Sequence, residues 1–225
     1  MDKPTSILRY AAAMILSAPI PVKRWRRAFK NKLLGRPTGN ILVYGSGNEI
    51  ELANPRNKVL KVTVFGDNNQ VKIETTDYFS ANIFIGTKDC PISNCTVRVG
   101  PKATSGGVSM RLLESDSSIN IGEDSMLSSG ICIFCSDTHS IFNVDGELAN
   151  IGKSVEIGRH VWIGQDCKIL KNTRIADDCI VGMGSIVTKR FCDKNCIIAG
   201  VPAKVIKENM SWSREHPQQY MNKHG

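Results

Sequence analysis

The chain has 225 residues, a formal net charge of +8, 41% hydrophobic residues and eight cysteines, a length that can bury one good-sized core without requiring a second. The charge is concentrated in residues 1–36, which hold nine Lys or Arg against Asp2, while residues 37–225 balance twenty basic against twenty acidic side chains. A neutral body offers no stripe for tracking phosphates, which argues against nucleic acid as a partner.

Taken in chain order, the first segment is apolar from Tyr10 to Ile20 and broken at Pro19 and Pro21. It is too short to span a bilayer. It also makes a poor secretion signal, because its dense positive cluster follows the apolar run and no small-x-small cleavage site is evident. That cluster, Lys23, Arg24, Arg26, Arg27, Lys30, Lys32 and Arg36, surrounds Trp25, Phe29 and Leu33 at helical spacing. One reading is an interfacial helix for an anionic membrane surface. The other is a helix that packs on the body of the protein or stands as a solvated arm.

Residues 43–49, VYGSGNE, contain GxG without the third glycine and following helix of a dinucleotide fingerprint. From VLKVTVFG at 59–66 and QVKI at 70–73, a stack of short strands is expected to begin, continuing through IFIG at 83–86 and VRVG at 97–100. Ile121, Leu127 and Ile133 then fall six residues apart, in phase with Ile151, Ile157, Ile163, Ile169, Ile175, Val181 and Val187. Two places before the aliphatic beat stand Val155, Val161, Cys167, Thr173, Cys179 and Ser185, and glycine follows it at 152, 158, 164 and 182. Neither a helix nor a plain strand has that period. A very short strand followed by a bend does, and such units are stable only when stacked. An ordinary β-sandwich is the blander reading, but it has no reason to hold one phase over seven units.

Cys132 and Cys135 form a lone C-x-x-C in a strand-like setting without the second pair or histidine spacing of a zinc site. The cysteines therefore read as reduced thiols, four of them in repeat positions that want a small hydrophobe, and no metal is expected. Counting six from Ile133 lands on His139 rather than on an aliphatic residue. His139 opens HSIFNVDGELAN, which departs from the repeat and reads as a loop between coils, the place where a rigid repeat is expected to carry function. His160 precedes VWIG at an outward-looking position and reads as a surface histidine; His216 and His224 lie in a polar tail.

The segments CSDTHSIF at 135–142, the run from Ile151 to Lys189 with its HVWIG unit, and IIAGVPAKVI at 197–206 resemble the hexapeptide-repeat acyltransferases, within them the polysaccharide and xenobiotic O-acetyltransferase branch. The resemblance implies an all-β fold, a left-handed parallel β-helix with short N- and C-terminal helical extensions, assembled as a homotrimer. The division is then residues 1–36 as a basic amphipathic segment, 37–206 as the acyltransferase domain with a loop at 139–149, and 207–225 as a tail.

The resemblance also implies acetyl-CoA as co-substrate and a carbohydrate as acceptor. It makes His139 the general base, a role that suits an imidazole because a sugar hydroxyl must lose its proton as it attacks. Asp137 could orient that ring, although a loop acid is often only a turn former and a backbone carbonyl would serve equally. Trp162 either fills a packing or subunit contact or bounds the active site between subunits and keeps water from the thioester. Coenzyme A would lie along the last coils at Gly164, Gly182, Met183 and Gly184, where a Cβ would occupy the groove, with Lys189, Arg190 and Lys204 near its phosphates.

The activity expected is O-acetylation of a bacterial cell-surface polysaccharide or its sugar precursor. Amino-sugar N-acetylation and a non-catalytic repeat scaffold are the alternatives. The location expected is the cytoplasm, at or near the inner face of the cytoplasmic membrane.

Overall fold

The six-residue beat becomes a stack of paired strands in the computed structural model, which describes residues 40–54, 57 and 59–224. The early coils hold β1 (Ile41–Tyr44), β2 (Glu49–Leu52), β3 (Leu60–Phe65), β4 (Gln70–Ile73), β5 (Phe79–Ile85), β6 (Thr96–Val99) and β7 (Thr104–Leu112). The middle holds β8 (Ser118–Ile121), β9 (Met126–Leu127), β10 (Ile131–Phe134) and β11 (Ser154–Ile157). Then come β12 (Trp162–Ile163), β13 (Lys168–Ile169), β14 (Thr173–Ile175), β15 (Ile180–Val181), β16 (Ile186–Val187) and β17 (Arg190–Phe191). The chain closes with β18 (Ile197–Gly200), β19 (Ala203–Lys207) and one helix, α1 (Pro217–His224). The basic segment 1–36 and its expected helix lie outside the described residues.

These strands form a parallel β-helix of three faces. On the first face β9, β12, β15 and β18 stack in parallel. On the second, β7, β10, β13 and β16 do so. The third is a separate sheet in the order β17-β14-β11-β8-β6-β4-β2. In the regular coils the register advances by three hexapeptides, so Val155 pairs with Thr173, Ile163 with Val181 and Ile169 with Val187. The long β5 and β7 pass from the first face to the second, which joins those two faces into one sheet. Parallel strands two to four residues long can bury side chains only by such stacking, because each contributes one or two inward residues.

Ile157, Ile163, Ile169, Ile175, Val181 and Val187 are all buried, as are the smaller residues two places before them. Left-handed backbone accumulates where faces meet. Asn68, Asn94, Asp116 and Asn172 occupy one corner, and Lys102, Asp124, His160, Asp178 and Asn195 another, all with φ between 52° and 60°. Asn and Asp tolerate this region better than other non-glycine residues, which explains their recurrence between the aliphatic positions.

Two expectations are corrected. Among the described residues the stack begins a coil before residue 59, since Ile41 pairs with Val62 and Ile50 with Val71, and the GxG stretch forms the bend between β1 and β2. Ile151, although in phase, is 56% exposed. From Ile133 to Ile157 the chain spends twenty-four residues on a step that takes six between Ile169 and Ile175. The extra eighteen are three hexapeptide lengths, so the beat survives an excursion that leaves the stack, and Ile151 lies on its return limb.

Candidate active site

The excursion leaves the body after β10, at the corner between the second and third faces. Its tip is a small hairpin: Phe142 bridges Leu148 in antiparallel sense, and the Asn143 side chain accepts the N–H groups of Asp145 and Glu147 at 3.0 and 2.8 Å. Its neck is tied by Asn150. The Asn150 amide oxygen accepts the Ile141 N–H at 2.9 Å, and its NH₂ donates to the His139 carbonyl at 2.8 Å and to Asp137 at 3.0 Å. Lys171, on the neighbouring coil, donates to both the Asp137 carboxylate and the Asn150 carbonyl. The Lys171 ammonium, followed by the Asn150 amide, holds the Asp137 carboxyl below the usual carboxylate range.

His139 itself is exposed, and its ring makes no hydrogen bond among the described residues. Asp137, considered as a partner for that ring, instead spends its carboxylate on Lys171 and Asn150. It meets His139 only through Asn150, at the backbone.

Trp162 lies on another face. It projects outward from β12 between Met126 and Ile180, with about a third of its surface exposed. Its ring is 6.0 Å from that of Trp212, which stacks on His160 at 4.3 Å and donates its indole N–H to the His160 carbonyl at 2.9 Å. His160 Nδ1 also lies 3.0 Å from Asp178. The histidine expected to be a surface group is thus sandwiched into a strap formed by the C-terminal tail. Arg214 fastens the same strap to Asp124, Thr104 and the carbonyls of Lys102 and Ser125. Sequence reasoning missed Trp212 and Arg214; the signal available was an aromatic and a cation close together in an otherwise polar tail. Within one chain His139 and Trp162 are not brought together.

The residues considered for coenzyme A divide similarly. Gly164, Gly182, Met183 and Gly184 gather at the corner between the first and second faces. At Gly164 and Gly182, however, glycine is needed by packing between coils: a Cβ would stand 2.7 Å from the Met183 nitrogen and 2.9 Å from the Ala199 Cβ. Their N–H groups, with that of Gly184, already donate to Val181, Ile198 and Gln165 carbonyls at 2.8 Å. Only Gly184, at φ 70° with open space where a Cβ would stand, fits the expected reason for a small residue. Beside it Met183 is exposed, and its N–H makes no bond among the described residues. Lys189 lies over the Phe191 ring at 5.3 Å, Arg190 is 4.0 Å from Glu156, and Lys204 is exposed on β19 without an ion pair among the described residues.

This architecture has known counterparts. Residues 148–189 match the family model for the bacterial transferase hexapeptide (six repeats). The chain is 33% identical over 173 residues to the polysialic acid O-acetyltransferase of Neisseria meningitidis, covering 69% of this chain and 80% of that one. It is 30% identical over 114 residues to a polysialic acid O-acetyltransferase of Escherichia coli O1:K1, there covering 50% of this chain and 37% of the relative. The crystal structure of the polysialic acid-specific acetyltransferase NeuO superposes with a TM-score of 0.62 at 26% identity, over 83% of this chain and 98% of that one. The protein belongs to the hexapeptide-repeat acyltransferases, and it is an acetyltransferase.

Proposed function

We propose that the protein transfers an acetyl group from acetyl-CoA to a hydroxyl of a bacterial cell-surface polysaccharide or of its sugar precursor. The observation that carries this reading is His139: an imidazole whose ring has no hydrogen-bond partner among the described residues, on a loop whose backbone is tied at the neck. In the reaction the His139 ring takes the proton of the acceptor hydroxyl as that oxygen attacks the thioester carbonyl. The tetrahedral intermediate collapses by breaking the C–S bond, and the imidazolium returns its proton to the departing coenzyme A sulfur. The Met183 N–H and Lys204 are the groups best disposed to meet the pantetheine arm and a phosphate of the donor.

The chain would act as a homotrimer of left-handed β-helices. One chain holds His139 and Trp162 on different faces, so an interface that sets His139 of one subunit against the Trp162 wall of the next would complete the site and exclude water. The exposed Ile141, Phe142, Val144 and Leu148 of the excursion would find cover in the same contact. Relatives that carry the names of polysialic acid O-acetyltransferases support a polysaccharide acceptor.

The test is incubation with labelled acetyl-CoA and a defined glycan set: a sialic acid polymer, lipopolysaccharide, capsular polysaccharides and nucleotide sugars. Base-labile label on a glycan is expected. His139→Ala should lower turnover by about 10²- to 10⁴-fold while coenzyme A binding stays near normal; full turnover by that variant defeats the mechanism.

A further inference from the structure

The contacts around the excursion do more than close a loop. Asn150 ties residues 137, 139 and 141 with one side chain, and two of these bonds fall on backbone groups at and near His139. Lys171 then joins Asp137 and the Asn150 carbonyl to the adjacent coil. The Lys171 side chain is 18% exposed and the Asp137 side chain 39%, and a hydrogen bond between two charged groups is stronger than one between neutral groups. The step before His139 is also fixed: Thr138 has a φ of 70°, and its N–H donates to the Ser136 hydroxyl at 2.9 Å. The return limb is held independently, by Glu114 on the Gly152 N–H and by Asn172 on the backbone of Ile151 and Lys153. His139 is therefore carried by a neck whose Asp137 and Asn150 are joined to the next coil by Lys171.

We infer that Lys171, Asp137 and Asn150 act as positioning residues for His139, setting where its ring stands against the acceptor without touching the ring. The inference rests on His139 being the base. A misplacement of about 1 Å at a reacting group can cost 10²-fold in rate, so a loosened neck should reduce turnover while donor binding on other faces is spared.

The experiment compares the full-length protein with Lys171→Met, Lys171→Arg, Asn150→Ala and His139→Ala. Amide exchange is measured without any acceptor, and steady-state rates are measured with acetyl-CoA and the glycan set above, on its best acceptor. Lys171→Met and Asn150→Ala are expected to speed exchange at residues 138–142 at least tenfold, with β8 and β11 unchanged. They should also lower kcat by about 10- to 100-fold and move the KM for acetyl-CoA less than about threefold, as expected when positioning for the chemical step is lost. Lys171→Arg should restore most of both. Wild-type exchange and kcat in Lys171→Met and Asn150→Ala, with His139→Ala inactive, overturns the brace and leaves the base in place. An active His139→Ala overturns the base itself. If Lys171→Met does not fold, Asn150→Ala and Lys171→Arg decide the question, because wild-type exchange and kcat in the former overturn the brace.

Discussion

Ile169 is buried completely, paired with Ile133 on one side and Val187 on the other. Ile169→Ala should cost about 2–5 kcal/mol, read as a lower denaturation midpoint, whereas Ile151→Ala, in the same phase but outside the stack, should change stability by less than about 0.5 kcal/mol. The periodic aliphatic residues and the histidine that breaks their beat were legible because each is a property of one position counted from the last. What Asp137 and Lys171 do was not, because thirty-four residues separate them and their meeting depends on which coil the excursion rejoins. The cysteines follow the same division. Cys90 and Cys192 are exposed, Cys132 is half-buried, and Cys95, Cys135, Cys167, Cys179 and Cys196 are buried, so a maleimide should label the first two rapidly and the five buried ones only on unfolding. Burial pushes the Cys135 thiol up to about 12 and raises the other four as well. The folded state therefore keeps protons that the unfolded chain releases above about pH 9. Stability contributed by these thiols is intact below that pH and falls as pH rises, which thermal melts between pH 8 and 11 would register.

Among the elements, the repeat strands were the most readable and the C-terminal strap the least. A strand in a repeat is specified by its own six residues, but Trp212 and Arg214 carry no periodic mark and gain meaning only from the His160 and Asp124 corners they meet. Trp212 is 9% exposed, and its truncation leaves the His160 ring and one side of Trp162 uncovered. Trp212→Ala should destabilise the protein by about 3 kcal/mol, near the low end for a buried aromatic. It should also increase proteolysis after residue 207. Equal proteolysis of variant and wild type would mean that the strap is held without this residue. Gly164 and Gly182 have a packing reason that the sequence did not display, since they admit the next coil, whereas Gly184 leaves open room.

At the level of the whole molecule, the proposed trimer and the basic segment make separate claims. Sedimentation should give three times the chain mass of 24.7 kDa; an active monomer would refute an active site shared between subunits. For residues 1–36 we propose peripheral, salt-sensitive attachment to anionic vesicles, with about 1 kcal/mol per engaged basic residue, and weak attachment to neutral ones. No helix among the described residues is long and apolar enough to cross a membrane. Deleting residues 1–36 should abolish flotation with anionic vesicles while sparing transfer to a small soluble acceptor. Flotation that is the same with and without the segment would show that it serves instead as packing or as a solvated arm.

The stack of parallel strands ends where β19 folds back antiparallel on β18, with Ala203 facing Gly200 and Val205 facing Ile198. A parallel β-helix is open at each end, and an open end is a template on which another molecule can continue the ladder. Reversing the last strand presents a hydrogen-bonding pattern that an incoming coil in the parallel sense does not match, so the first face is closed to end-to-end growth at this end, while β16 and β17 are the last strands of the other two faces. A chain truncated after Gly200 should accordingly lose solubility by forming linear fibres, with turbidity that rises with concentration, and a single charged substitution on the bared β18 should suppress them.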